Sequence, residues 1–197
     1  MIVHTIEQRS KEWYQLRCGK FTASTFAKLM GKKTNKGYQD EIYRVAYETL
    51  TDEPVSNGCV NAAMQHGIDT EPEARLWYEK HENVFVEEVG FIERNEFVGV
   101  SPDGLVDDNG VLEIKCPQYN TQIDYLLKHW LPSEYKWQVQ GLLWVSEREW
   151  CDFLSYHPKL DKLLVRVRRD ESAIKELETR INEVIEETKE VINKLKQ

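Results

Sequence analysis

Residues 101–117 read SPDGLVDDNGVLEIKCP. Two apolar runs flank the turn-forming DDNG, so the stretch reads as a β-hairpin. Charge inside the strands sets it apart: Asp103 follows Pro102, and Glu113 and Lys115 are separated only by Ile114. Side chains two apart on a strand leave the same face, so Glu113 and Lys115 share one face while Leu112, Ile114 and Cys116 take the other. The face of Asp103 depends on the turn. A two-residue Asn109-Gly110 turn would send it away from Glu113. A three-residue loop of Asp108, Asn109 and Gly110, with Gly110 left-handed in a bulge, sets Asp103 across from Lys115 and diagonal to Glu113. A bulge or bend at Pro102-Asp103-Gly104 has the same effect, and one of these two geometries is expected. Taken alone, the three residues fit an exposed hairpin with an Asp–Lys cross-strand pair equally well.

If the three groups converge, their chemistry is specific. Two carboxylates offer hard oxygen ligands suited to Mg²⁺, which keeps several waters and favours phosphate oxygens as co-ligands. A neighbouring Lys can orient or help deprotonate an attacking water and offset charge on a phosphorane-like transition state.

Outward from the hairpin, helices are expected at about 10–17, capped by Ser10, at 22–30, starting at Thr22, and at 38–50. A T-x-x-E capping box, Thr70 with Glu73, predicts a helix over about 70–80, either new or kinked from an earlier one. Strands follow at 84–93, 97–101 and 111–116, then helices at 121–129 and 133–145, then strands at 150–156 and 163–168. From Glu171 to the end runs a long amphipathic helix with apolar residues at Ile174, Leu177, Ile181, Val184, Val191 and Leu195. That spacing permits a coiled-coil seam that would aid oligomerisation, while a stripe packed on the domain suits so few heptads better. The order predicts an α/β fold with one mixed central sheet flanked by helices, in a single domain over 1–197.

Composition bounds the function. The 197 residues hold 41% hydrophobic and 30% charged positions, and no apolar run approaches the roughly 18 residues of a membrane span. The first residues, MIVHTIEQRSKEW, lack a signal-peptide pattern, which makes the cytoplasm the expected location. Cys18, Cys59, Cys116 and Cys151 are scattered and suit reduced core positions. A net charge of -8 argues against a surface that attracts nucleic acid everywhere. Arg17, Lys20, Lys28, Lys32, Lys33 and Lys36 nevertheless make the first forty residues locally basic, and a polyanion would enter there.

Pro102-Asp103 followed by Glu113-Ile114-Lys115 resembles the PD-(D/E)xK nuclease signature, in a restriction-endonuclease-like core. The surroundings narrow the resemblance to the lambda-type phage exonucleases, also called YqaJ-like viral recombinases. RCGKFTAS, HGIDTEPEA, SPDGL, LEIKCP, WQVQGLLW and SYHP occur in that family's order, from Trp13 to about Pro158. Several weak motifs in one order make a strong signal.

The resemblance implies Asp103, Glu113 and the carbonyl of Ile114 as metal ligands, Lys115 as catalytic lysine, and Glu71 as a further carboxylate supporting a second ion. An i,i+4 pair with Arg75 is the local alternative for Glu71. Gln138 would stand near the reacting water or metal, with Tyr135 and Gln140 as weaker candidates. Arg17, Thr22 and Ser24 would hold a 5′-phosphate. The implied activity is Mg²⁺-dependent 5′-to-3′ digestion of one strand of duplex DNA, with Mn²⁺ as a substitute and two ions per site. Mononucleotides would be released and 3′ single strands left for annealing-type recombination. A homotrimer, a single-strand annealing protein as partner and no membrane association are implied as well, in a bacterial host cytoplasm. The alternatives are another PD-(D/E)xK nuclease, with an iron–sulfur type disfavoured by the lack of a close Cys cluster, and a non-catalytic DNA-end-binding module.

Overall fold

In the computed structural model, which describes residues 1–55 and 61–197, the hairpin strand β7, Gly110–Lys115, lies at the centre. It pairs antiparallel with β6, Gly104–Val106, and parallel with β8, Trp150–Ser155. A parallel neighbour requires a long crossover. Helices α5, Tyr119–Lys128, and α6, Lys136–Ser146, supply it, with a 3₁₀ turn at Ser133–Tyr135 between them. Strands β3, Val86–Glu87, and β9, Leu163–Arg168, complete a mixed sheet in the order β3-β6-β7-β8-β9. Where one sheet was expected, a second exists: β1, Ile2–His4; β4, Phe91–Asn95; β5, Val98–Val100; and β2, Phe21–Thr22, ordered β1-β4-β5-β2. The expected strand over 84–93 is thus divided between two sheets. The break falls at Gly90, where an added Cβ would lie 2.3 Å from the Ile6 carbonyl oxygen.

Strand parity divides the interior. Leu112 and Ile114 face a small core with Ala74, Tyr78, Val106 and Leu154, under α4, Ala62–Glu82. Val111 joins the larger core, where α2, Ala23–Leu29, α3, Lys36–Thr51, and α6 meet the long terminal helix α7, Glu171–Leu195. That helix buries Ile174, Leu177, Ile181, Val184, Ile185 and Ile192, whereas Leu195 is 67% exposed. Its stripe turns with the 3.6-residue helical period and leaves the strict 3-4 seam toward the end. The described cysteines are free thiols, of which only Cys151 is buried, and Cys59 lies outside the described residues.

Helix α4 corrects the capping-box expectation. Asn61 caps it by accepting from the Met64 amide at 2.9 Å, and the helix runs continuously through Pro72. Thr70 is therefore a buried mid-helix residue. The helix is pinned to the mixed sheet at two points. Tyr78 donates to the buried Asp152 at 2.7 Å, which also receives a two-pronged bond from Arg166, and Tyr156 donates to Glu73 at 2.7 Å. These contacts fix the turn of α4 that carries Glu71.

The remaining helix contact that matters for the site is between α2 and α6. At Gly141 the α6 backbone approaches the buried ring of Phe26 so closely that a Cβ would lie 2.4 Å from it. Gly141→Ala would gain about 1 kcal/mol of helix propensity, but overpacking of this kind costs about 1 to 3 kcal/mol. The variant is expected to be less stable than wild type in urea denaturation, and a stabilised variant would refute the close packing.

Candidate active site

The hairpin turns through three residues, 107–109, with Val106 opposite Gly110. The loop is odd-numbered as expected but begins one residue earlier, and the left-handed residue is Asp107, at φ 46°, rather than Gly110. Asp tolerates that conformation better than most residues. Gly110 is needed for another reason: an added Cβ would lie 2.2 Å from the Trp150 ring. Arg148 closes the turn by donating to the carbonyls of Val106, Asp107 and Gly110.

Asp103 sits in the bend just before β6. Its amide donates to the Leu112 carbonyl at 3.1 Å, and its carboxylate accepts from the Ile114 amide at 2.6 Å, so it brackets Glu113 from both sides. Glu113 is 2% exposed and accepts from Lys115 at 2.5 Å and from the Gln138 amide of α6 at 2.5 Å. Asp103, Glu113, Lys115 and Gln138 therefore converge. Burial, then the charges of Glu113 and Glu71, push the Asp103 carboxyl well above the ordinary carboxylate range. Burial raises Glu113 too, against the opposing pull of Lys115. For Lys115 burial favours the neutral amine, but Glu113 and Asp103 outweigh it and its pKa moves up, so it stays an ammonium.

A cleft of about 810 Å³ opens over this patch, lined by Ile114, Lys115, Glu71 and Tyr135 among others. Lys115 lies 5.3 Å from the centre of the Tyr135 ring. Glu71 accepts from Arg75 at 3.2 Å, the i,i+4 pair, and also from Arg9 at 2.5 Å, which the sequence reading did not include. Among the described residues no three or more His, Cys, Asp or Glu side chains form a ready metal cage. Gln140 is not part of the site. Its amide donates to the Arg168 carbonyl at 3.0 Å and its oxygen accepts from the Asp170 amide at 3.0 Å, so it joins β9 to α7.

Beside the cleft a smaller pocket gathers Arg17, Thr22 and Ser24 with Lys20, Lys28 and Arg44, and with the carboxylates Glu41 and Glu48, which accept from Lys28 and Arg44. Arg17 comes from the end of α1, Lys11–Arg17, and its guanidinium donates to Ser101 at 2.9 Å and Thr22 at 3.3 Å. The Thr22 and Ser24 hydroxyls are 3.2 Å apart. Thr22 stands at the N-cap position of α2 but makes no side-chain capping bond, so its hydroxyl is committed to the pocket. Burial first, then the neighbouring Arg44, lowers Arg17 to about 10, so it remains charged at neutral pH. Ser101 and Trp13 hold Arg17 from behind the pocket: the Trp13 indole donates to Ser101 at 3.0 Å and carries the Arg17 guanidinium 4.2 Å above its ring. Ser101 stood in SPDGL, two residues from Asp103, and that proximity was the available signal.

The donor set suits a hard divalent cation. Asp103, half-buried, and Glu113, buried, are neighbouring like charges with one ammonium, Lys115, bonded to Glu113, and a cation with oxygen preference would relieve both. Two carboxylates leave most coordination positions to water, as Mg²⁺ prefers.

Comparison with known proteins gives a consistent set of relatives. A YqaJ-like viral recombinase domain matches residues 12–149. The alkaline exonuclease LHK-Exo from Laribacter hongkongensis superposes with a TM-score of 0.88 at 35% identity, over 95% of this chain and 96% of that one. A second structure of it was determined in complex with dAMP. A phage-related exonuclease from Haemophilus somnus shares the fold, with a TM-score of 0.72 at 15% identity, over 92% of this chain and 99% of that one. An uncharacterized mimivirus protein, R354 of Acanthamoeba polyphaga mimivirus, is 29% identical over 167 residues; the match covers 75% of this chain and 29% of that longer protein.

The raised Asp103 pKa has a sign that can be measured. An unfolded Asp titrates near 3.9, so the folded-state penalty is absent below about pH 4 and grows as the pH rises toward the higher folded value. Asp103→Asn keeps an oxygen for the Ile114 amide and removes the charge. In EDTA it is expected to be more stable than wild type at pH 8, by about 0.5 to 2 kcal/mol as for other stabilising substitutions. The two proteins should converge near pH 4, and an Asn variant less stable at pH 8 would contradict the assignment.

Proposed function

Because this chain belongs to the YqaJ-like viral recombinase domain family, we propose that it is a Mg²⁺-dependent 5′-to-3′ exodeoxyribonuclease acting on the ends of linear duplex DNA. It releases 5′-mononucleotides and leaves 3′ single strands for phage-type annealing recombination. One observation carries the reading. Ser101, which accepts from Arg17 of the basic, hydroxyl-lined pocket, and Asp103, of the carboxylate–lysine patch, are two residues apart in the link between β5 and β6. An anion held at Arg17 is thereby set beside the group of residues able to break a phosphodiester. The 35% identical relative LHK-Exo, an alkaline exonuclease whose structure was also determined with dAMP, supports both the activity and the product.

Arg17, Thr22 and Ser24 would receive the terminal 5′-phosphate through charge-assisted hydrogen bonds. Water adds to the phosphorus of the next phosphodiester and the bond to the 3′-oxygen breaks. That oxygen takes a proton, and the shortened strand carries a new 5′-phosphate for the same pocket. Asp103, Glu113 and the Ile114 carbonyl would hold Mg²⁺, or Mn²⁺ in its place. When bound, the ion lowers the pKa of a coordinated water and polarises the phosphoryl oxygen. Lys115, kept as an ammonium, can orient the water and donate to the oxygen on which charge develops. Gln138 orients Glu113 through its 2.5 Å bond. Glu71 would support a second ion on leaving Arg9 and Arg75, and Tyr135 forms the cleft wall beside Lys115. A homotrimer and a single-strand annealing partner complete the proposal. No described helix is long and apolar enough to cross a membrane.

The test is digestion of linear duplexes bearing a 5′-phosphate or a 5′-hydroxyl, with Mg²⁺ or EDTA. Cleavage is expected only with the metal and faster on phosphorylated ends. Lys115→Ala should lower the rate by about 10²- to 10³-fold while DNA binding in a mobility-shift assay stays within a few-fold of wild type. Arg17→Ala should erase the preference for phosphorylated ends. Binding without hydrolysis by the wild type would identify a DNA-end-binding module instead, and equal cutting of both ends would remove the phosphate pocket.

A further inference from the structure

We propose that Glu48 is a positioning residue that holds the anion pocket and the catalytic cleft at a fixed spacing, and so limits the product to one nucleotide. The inference rests on the reading of Arg17, Thr22 and Ser24 as the terminal-phosphate pocket.

Glu48 lies in α3, is 5% exposed and touches neither the carboxylate patch nor Arg17 by a hydrogen bond. A buried carboxylate is costly unless its oxygens are fully used, and these are. One oxygen accepts from the Gly19 amide at 2.9 Å and from Arg44 at 2.6 Å; the other accepts from the Val55 amide at 3.0 Å. The two amides belong to segments far apart in sequence, and each has a position in the site. Gly19, at φ +71°, forms the turn between Arg17 and Thr22, so its placement decides whether those two side chains meet. Val55 follows Pro54, and these two residues with Tyr14 line both cavities. One cavity contains Glu71, Ile114 and Lys115, and the other contains Arg17, Thr22 and Ser24. They are the wall between the two.

Glu48 therefore ties the turn of one site directly to the wall shared by both. A second tie runs parallel to it: Gln15, on the same helix as Arg17, donates to the carbonyl and carboxylate of Asp52 at 3.1 and 2.9 Å, at the start of the wall segment. Glu48 also supplies the negative charge that lets Arg17 and Arg44 stand near each other, opposing the lowering that burial and Arg44 impose on Arg17. The distance from a bound terminal phosphate to the scissile bond is set by this wall. A site that loses the tie can seat the phosphate while offering the second internal phosphodiester to Asp103 and Glu113.

The test separates spacing from folding and from catalysis by reading product length. A duplex labelled on its 5′-phosphate is digested by full-length protein with Mg²⁺, and the labelled products are resolved as mono- and dinucleotides. Glu48→Gln places an amide donor where two donors now converge. Because an offset of about 1 Å is enough to change rates by about 10²-fold, the ratio of dinucleotide to mononucleotide is expected to rise at least about fivefold. Val55→Pro removes the wall amide donor, along with an exposed side chain that lines both cavities, and should shift the ratio the same way. It decides the matter if Glu48→Gln proves unfolded by circular dichroism. Folded variants that release mononucleotides as cleanly as wild type would overturn the role of Glu48 and leave the phosphate pocket intact. A wild type indifferent to the 5′-phosphate would overturn the pocket and this inference together.

Discussion

Two carboxylates, Asp103 and Glu113, share one buried patch with a single ammonium, Lys115, and much of the structure serves to hold them there. Removing charges from water costs several kcal/mol per ion after relaxation. One lysine cannot fully offset two acids, and both carboxyls are accordingly pushed toward protonation. A fold assembled for stability alone would place leucine or valine on this face. The strain of like charges is tolerated because the surrounding strands are fixed on both edges, and a cation of the kind the proposed reaction requires would relieve it.

The supports of this patch come from opposite sides of the mixed sheet. From one side α6 sends Gln138 to Glu113 and packs through Gly141 on Phe26 of α2, the helix that begins at the anion pocket. From the other side α4 carries Glu71, and its Tyr78 and Glu73 are pinned to Asp152 and Tyr156 of the sheet. Neither helix can move without moving a group in the site. On the proposed function, this arrangement would keep a constant separation between a phosphate at Arg17 and the bond presented to Asp103.

Much of this was readable in the chain, and the misreadings have physical causes. Parity placed Glu113 and Lys115 on one strand face and Leu112 and Ile114 on the other, because the two-residue period of a strand is a local property. The same rule required an odd loop to bring in Asp103, and the loop is odd. It begins one residue earlier because the positive φ falls on Asp107 and not on the glycine. Gly110 instead yields space to Trp150, a partner forty residues away that no turn rule includes. The capping box at Thr70 failed for a similar reason. A local hydrogen-bonding motif competes with a helix already begun at Asn61, and propagating a helix is easier than starting one. Gln140 matched a pattern by its neighbourhood in WQVQ, yet its direction on α6 turns it toward Arg168 and Asp170.

The sequence by itself determined the local geometry: which strand residues share a face, where helices begin when a capping side chain is free, and which residue types suit a divalent cation and a phosphate. The order of its motifs also carried the family likeness. Only the tertiary structure decided which groups meet. Arg17 reaches Ser101 across 84 positions of chain, Glu71 is shared between Arg9 and Arg75, and Glu48 joins Gly19 to Val55. Dihedral preferences and side-chain periods act over a few residues, whereas these meetings depend on how the sheets and helices of the described residues bury their apolar faces together.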